Sequence, residues 1–428
     1  MPWKETCAMD QRFLFVQDVI EGHESQAALC RWYGISRPTG RKWLRRYRED
    51  GLYGLLDRSR AARRHPNEMA AELAAMILTV RRTHGTWGPR KLRAWLSDRY
   101  PGCPWPAAST IGDLLRRHGL AVPRRRRPRT PPGTEPFRQC RGANDLWCVD
   151  FKGWFRTGDG RRCEPLTVSD AWSRYLLRCQ AMERIRQEAV RTVLESAFRE
   201  YGLPRAIRTD NGPPFAGRAL GGLTQLSVWW LKLGLSVERI DPGEPQQNGR
   251  LERLHRTLKA ETARPPRATL GGQQRAFQQF RDSYNTERPH EALGQRPPAT
   301  AYRPSERLYP ARPPVVEYPE GLTVRYVHTQ GCIKWQGRLV YVSHLLRGEP
   351  LGLDPVADDR WVLYFCHLPL AVIDDRRQRL WPLHQPLRKG LVVAASLRSP
   401  VRYAPGASQA GSKVETMRPV QSGNDAPG

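Results

Sequence analysis

Three carboxylates stand out by their position in the chain. Asp150 ends the apolar run Leu146-Trp147-Cys148-Val149. Asp210 ends Arg205-Ala206-Ile207-Arg208-Thr209 and opens the turn Asp210-Asn211-Gly212. Glu252 lies early in the helical stretch that follows Gln246-Gln247-Asn248-Gly249. Acids at strand ends of an α/β sheet stand where such folds build their sites. Converging carboxylates repel unless cations bridge them, and an oxygen donor set suits Mg2+ or Mn2+. Asp145, Asp170 and Asp241 are competing acids. The plain alternative for Asp150 and Asp210 is a turn-capping aspartate. For Glu252 it is a solvated helix acid paired with Arg256, one turn on.

The elements that must position these acids follow from pattern. Short apolar runs over 146–151, 166–170 and 174–179 read as strands, separated by Gly158-Asp159-Gly160 and Ala171-Trp172-Ser173 turns. A helix over about 185–201 ends at Gly202 and Pro204, a strand covers 205–209, and helices run at about 221–233, 248–262 and 272–287. Strands first, then strands alternating with helices, predict an α/β domain with a mixed sheet over 141–305. Beyond Arg303-Pro304, short strands within 324–365 predict a small all-β barrel over 315–385. The Pro-, Gly-, Ser- and Arg-rich stretch 387–428 reads as a disordered tail.

Upstream, residues 10–120 carry apolar positions at helix spacing. A helix from Ser25, a turn at Gly34, and a basic helix from Ser36 predict a helix-turn-helix over 10–60. Ser25 and Ser36 are N-cap candidates, and Pro38 sits in a first turn where its missing N–H does no harm. Arg37, Thr39, Arg41, Lys42 and Arg45 would then face DNA; the alternative is a helical hairpin with a solvated basic face. A second such unit over 65–122 offers Ser109, Thr110 and Arg116. The Pro/Arg run over 123–140 reads as an extended basic linker.

Composition agrees with a polyanionic partner. The 428 residues carry a formal charge of +28, which favours nucleic acid or an acidic surface. Because 61 of the 70 basic residues are Arg, codon bias is a competing explanation. Nine scattered cysteines with no C-x-x-C pair speak against a disulfide framework or a structural zinc. No run of about 18 apolar residues is present, and the first residues lack an apolar signal core, so a soluble, intracellular protein without a membrane partner is expected.

In this order and spacing, the motifs resemble those of bacterial insertion-sequence transposases of the DDE class. The resemblance covers about 12–305: the helix-turn-helix region, the Trp-x-x-Asp strand, the T-D-N-G turn, the Q-x-N-G-x-x-E-R helix and Tyr284-Asn285-x-x-Arg288-Pro289-His290. It implies a retroviral-integrase core with an RNase H-like fold. It also implies a catalytic triad of Asp150, Asp210 and Glu252 holding two Mg2+ (or Mn2+) ions for DNA cleavage and strand transfer. The partners implied are the element's terminal inverted repeats, target DNA and further copies of the chain, in the bacterial cytoplasm at the nucleoid. In this family a basic residue seven positions after the glutamate contacts terminal DNA. Lys259 has that spacing, and His255 and Arg256 at +3 and +4 are expected on the same face. Asn211 and Gly212 are expected to shape the turn beside Asp210, and Asn248 and Gly249 the loop before Glu252. Asp170 is expected to be structural.

Two departures matter. The 41 residues between Asp210 and Glu252 exceed the interval in many relatives, the excess falling within 219–231 as a longer helix and loop. Retroviral integrases carry a His/Cys zinc module that this chain lacks. The β barrel is loosely like a DNA-binding domain of some integrases; a stabilising or oligomerising role is the alternative. The rival functions are a catalytically inactive, transposase-derived DNA-binding regulator, and a nuclease that cuts without joining.

Overall fold

A computed structural model of the chain describes residues 7–59, 69–121, 140–240, 249–377, 379–383 and 402–403. The linker 123–139, Asn248 and most of 387–428 lie outside the described residues. Contacts divide the chain into two units, 1–70 and 71–428.

The first unit is three helices, α1 (Ala8–Glu21), α2 (Gln26–Trp32) and α3 (Arg37–Asp50), closed by a 3-10 turn at Gly51–Leu55. Ser25 and Ser36 cap α2 and α3 through their side chains, accepting from the N–H groups of Ala28 and Thr39. Phe15, Val16, Leu29, Cys30, Trp43, Leu44 and Leu55 form its core. Gly40 lies where α3 crosses this core; a Cβ there would come within 2.6 Å of Cys30 Sγ.

The second unit opens with α4 (Ala71–Thr83), α5 (Pro89–Arg99) and α6 (Ala108–Arg117). Next come β1 (Leu146–Phe151), β2 (Phe155–Arg156), β3 (Arg162–Asp170), β4 (Leu176–Met182), α7 (Gln187–Tyr201), β5 (Ala206–Thr209), α8 (Gln225–Lys232), β6 (Ser236–Arg239), α9 (Gly249–Thr262) and α10 (Leu270–Thr286). The sheet runs β3-β1-β5-β6, with β2 and β4 both paired to β3. β1 pairs antiparallel with β3 and parallel with β5, and β5 pairs parallel with β6. The mixed α/β sheet is therefore present, with β6 as a strand that the sequence pattern missed.

Strand alternation sorts the two faces. Trp147 and Val149 pack toward α7 and α8, with Leu194, Phe198, Leu226 and Trp230. Leu146 and Cys148 pack the other way, toward α9 and α10, with Leu251, Leu254, Leu258 and Phe277. Helix α8 starts later than the expected 221, because Gly221 and Gly222 adopt φ of 67° and 65° and form a 3-10 turn in place of the first helical turn.

The C-terminal region is antiparallel β: β7 (Val316–Glu317), β8 (Thr323–Tyr326), β9 (Cys332–Trp335), β10 (Arg338–Tyr341), β11 (Pro350–Ala357), β12 (Arg360–Phe365), β13 (Leu368–Asp374), β14 (Arg379–Pro382) and β15 (Arg402–Tyr403). β14-β13-β12-β11-β8 make one sheet, and β9 and β10 form a hairpin. β15 lies inside the stretch expected to be disordered; it pairs with β7, so that expectation does not hold for Arg402 and Tyr403. The long interval between Asp210 and Glu252 has a structural use. Ala219, Leu220, Leu223, Val228 and Leu231 join one apolar cluster with Ile333, Leu353, Leu363, Phe365 and Leu370 of the β region.

Candidate active site

The register of β1 on β5 pairs Leu146 with Ala206, Trp147 with Ile207 and Cys148 with Arg208. Carried two residues further, it sets Asp150 level with Asp210 at the carboxyl ends of adjacent parallel strands. Parity puts both acids on the side of Leu146, Cys148 and Ala206, the side that α9 covers. Helix α9 lies there because Leu251, Leu254 and Leu258 recur at helical spacing and are buried. Glu252, Arg256 and Lys259 fall outside that stripe and are exposed.

The electrostatics place Asp150 within the field of Asp210. Burial pushes Asp150 up to about 7, with the Asp210 charge the next contribution and Glu252 a smaller one; the Phe151 N–H and Lys152 oppose the rise. Burial also raises Asp210, opposed by the N–H of Gly212, which donates to Asp210 Oδ1 at 3.3 Å. A Cβ on Gly212 would meet Asp210 Oδ2 at 3.2 Å, so a glycine allows this close approach. The Asn211 side chain donates to the carbonyl of Ile240 at 2.7 Å, tying the turn to the end of β6. Gly249 opens α9, where a Cβ would meet nothing, so the fold there does not require glycine.

His255 departs from expectation. It points inward, 5% exposed, while Arg256 and Lys259 face out. At +3 its direction lies about 60° from Glu252 toward the buried stripe, which removes it from a DNA-facing surface. Thr167, opposite Asp150 on β3, donates its hydroxyl proton to the carbonyl of Asp150 at 3.1 Å. Its oxygen therefore accepts from His255 Nε2 at 2.8 Å. That tautomer leaves the Nδ1 lone pair 3.8 Å from Asp150 Oδ2. Burial, and then the Lys152 charge, hold His255 down at about 3, so it is neutral. Thr167 and Lys152 were missed in the sequence. Lys152, one of nine lysines and two residues beyond Asp150, carried a signal; Thr167 carried none without the strand pairing.

Asp170, the competing acid, is 1% exposed and accepts from the Asn144 N–H and from the Ser173 N–H and hydroxyl, so its place is structural. The Tyr284-to-His290 segment joins elements. The Asn285 side chain pairs with both backbone groups of Leu176 on β4 (2.8 and 3.0 Å). Arg288 is buried and bonds Glu261 of α9 at 2.8 Å and Thr86, before α5, at 3.2 Å; Thr86 also bonds Glu261. The second helical module is thereby docked on the helix that carries Glu252.

In that module Ser109 and Arg116 are exposed on α6 and Thr110 is half-buried; Arg116 pairs with Asp113 at 2.7 Å. In the first unit Arg37, Arg41, Lys42 and Arg45 are exposed along α3. Thr39 is half-buried, its hydroxyl sharing a hydrogen with Ser36. Among the described residues no three His, Cys, Asp or Glu side chains are grouped closely enough to hold an ion, and no helix is long and apolar enough to cross a membrane.

Comparison with known proteins bears on this arrangement. Two models described as integrase core domain match residues 141–245 and 233–298. Helix-turn-helix and homeodomain-like models match 11–64 and 39–115, and the IS481 family transposase C-terminal domain matches 322–380. The chain is 30% identical over 246 residues to the insertion element IS476 39.2 kDa protein of Xanthomonas euvesicatoria, covering 56% of this chain and 68% of that one. It is 30% identical over 231 residues to the insertion element IS407 31.7 kDa protein of Burkholderia multivorans, covering 54% and 79%. The chain belongs to the insertion-sequence transposases with an integrase core. Among solved structures, the HTLV-2 integrase catalytic core domain in complex with magnesium aligns with 38% of this chain and 99% of its own, at 14% identity and a TM-score of 0.31. For a transposase core, the acids at the ends of β1 and β5 are the chemically distinctive feature: two crowded carboxylates, partly withdrawn from water.

Proposed function

We propose that this transposase binds the terminal inverted repeats of its own element, cuts DNA at the element's ends and joins the freed 3′-hydroxyl to target DNA. The observation that carries the reading is the parallel register of β1 on β5, which extended two residues sets Asp150 beside Asp210 on the face covered by α9, with Asp150 in the field of the Asp210 charge. Two partly buried carboxylates, one of which has its proton affinity raised by the other's charge, form a donor set that a divalent cation relieves, so their chemistry fits Mg2+ or Mn2+. Asp150 and Asp210 would hold two such ions together with Glu252, which is exposed on α9 and would have to close on the pair, since the three are not grouped closely enough to hold an ion in this structure. The chemistry these ions supply when bound is Lewis acidity toward the entering and leaving oxygens of an in-line displacement at phosphorus. In that displacement an O–P bond to water or a 3′-hydroxyl forms as the O3′–P bond breaks. One phosphodiester replaces another during joining, so no external energy source is needed.

The chain's own residues prepare the site. Thr167 holds the backbone carbonyl of Asp150, and His255 in turn fixes the Thr167 hydroxyl. Gly212 holds the Asp210 carboxylate through its N–H. Lys259 and Arg256, exposed beside Glu252, would receive terminal DNA phosphates. The α3 side chains Arg37, Thr39, Arg41, Lys42 and Arg45, with Ser109, Thr110 and Arg116 on α6, would read the repeat. Two ends must be held together for joining, so the working form is a homo-oligomer on DNA, in the cytoplasm at the nucleoid.

A strand-transfer assay tests this. Purified protein meets a labelled duplex carrying the repeat that flanks its gene, with Mg2+ or with EDTA. Mg2+-dependent joined product, absent with Asp210→Asn, is expected. Tight binding without cutting or joining, in Mn2+ and with paired ends as well, would favour the DNA-binding regulator. Cutting without joining would favour the nuclease.

A further inference from the structure

Beside Asp150, the turn from β1 into β2 carries Trp154 with its indole 53% exposed. Two guanidinium groups lie against that ring. Arg162 is 4.8 Å and Arg156 5.8 Å from its centre. Both are fixed from elsewhere: Arg162 Nε donates to buried Glu164 at 2.6 Å, and Arg156 to the carbonyl of Gly160 at 2.8 Å. The indole borders a cleft between this turn and α9, lined by Lys152, Pro165, Leu258, Lys259 and Phe277. The Lys152 ammonium is near enough to Lys259 and Asp150 for each to perturb its charge. The cleft is narrow: buried Pro165, Leu258 and Phe277 close its floor, and the surface open to a ligand is the half-exposed indole with the two lysines, beside the carboxylate site. Apolar, flat and cationic surfaces together suit a nucleotide whose base is unstacked and whose phosphate is anionic. They suit an apolar peptide poorly, because two guanidinium groups lie against the ring and two lysines line the cleft beside it.

We propose that the Lys152/Trp154/Lys259 cleft is a subsite for one unpaired nucleotide at a cut DNA end, its base stacked on Trp154 and its phosphate between the two lysines. This rests on the transposase reading above and adds a second requirement, a single-stranded end. Stacking on a π-face tolerates any base, so the subsite sets end geometry and leaves sequence to the helical modules.

The test uses the full chain and two DNAs of arbitrary sequence: a blunt duplex, and the same duplex with a short overhang ending in 2-aminopurine. The wild type is expected to bind the overhang more tightly than the blunt end and to quench the probe. Trp154→Ala is expected to lose about ten-fold in overhang affinity, together with the quench, at unchanged blunt-end affinity. Trp154→Phe should keep most of both, which guards against a folding defect in the alanine variant. No quench by the wild type, or equal weakening on both DNAs, overturns the subsite. The strand-transfer assay separates the two readings. Quenching through Trp154 with no joined product from the wild type leaves the subsite and removes the transposase reading. Joining that is equally fast in Trp154→Ala, with no quench, does the reverse.

Discussion

The integrase-core sheet is flanked by two attached modules, and they are attached by opposite physics. The C-terminal β region is held on the α8 side by an apolar cluster in which Leu223, Leu231, Ile333, Phe365 and Leu370 are at most 1% exposed. One ion pair, Lys232 to Glu349 at 2.7 Å, lies with it. The second helical module is held on the α9 side by charges: Arg288 with Glu261 and Thr86, and Arg90 with Glu291 at 3.0 Å. Lys91 is pressed down to about 8 by burial and then by the Arg288 charge. Apolar burial is non-directional and is not screened by salt, whereas a charged contact depends on geometry, pH and ionic strength. The β region is therefore built as a permanent extension of the core. The helical module meets the helix of Glu252 through groups that ions and protons can adjust.

The largest effect should come from the apolar side. Leu231→Ala removes a fully buried side chain and should cost about 2–5 kcal/mol in denaturant unfolding, with protease sites opening in β8–β14. A change below about 0.5 kcal/mol would mean that α8 does not carry the β region. On the charged side, Arg288→Met leaves Glu261 without its buried cation. The expected loss is about 1.5–3 kcal/mol, at the low end because Glu261 is partly exposed. It should shrink in 1 M NaCl, whereas the Leu231 effect should not; equal salt responses would erase the contrast.

Acid should also separate the two. His290 packs on Tyr284 near Lys91 and Arg288, and burial, then those cations, hold it down at about 3. A histidine whose folded value is depressed contributes stability that is complete above its unfolded value of about 6.5 and is lost as pH falls toward the folded one. From pH 7 to 5, hydrogen exchange should quicken in α4–α6 before it does in β11–β13. His290→Asn should flatten that response, and simultaneous quickening in both regions would count against a pH-sensitive junction. The smallest effect belongs to the exposed pair of Arg90 and Glu291. Arg90→Ala should change stability by less than about 0.5 kcal/mol, and a drop of 2 kcal/mol would show this pair to be central to docking.

Much of the site was legible before any fold was known. The strand ending at Asp150, the T-D-N-G turn, the helix of Glu252 with Lys259 on its outer face, and the Ser25 and Ser36 caps all follow from local rules. A period of two or 3.6 and a capping hydroxyl act within a few residues, so the residues themselves display them. The strands β11, β13 and β14 were not legible, because Gly or Pro within each breaks the period, and β6 is too short, at four residues, to display one.

What the sequence alone determined was which chemistry-bearing residues stand at the ends of which elements. Only the tertiary structure decided who faces whom. The parallel register of β1 on β5 brings Asp150 level with Asp210 across 60 residues of chain. The pairing of β1 with β3 brings Thr167 under Asp150, which turns His255 from an expected DNA contact into a buried support. Residues 219–231, an unexplained excess when read in line, become the seat of the β region, and Arg288 becomes the pin between α9 and the helical module. These contacts join segments tens to hundreds of residues apart. Pattern along the chain carries no record of them, because burial and charge select such partners only when the layers close.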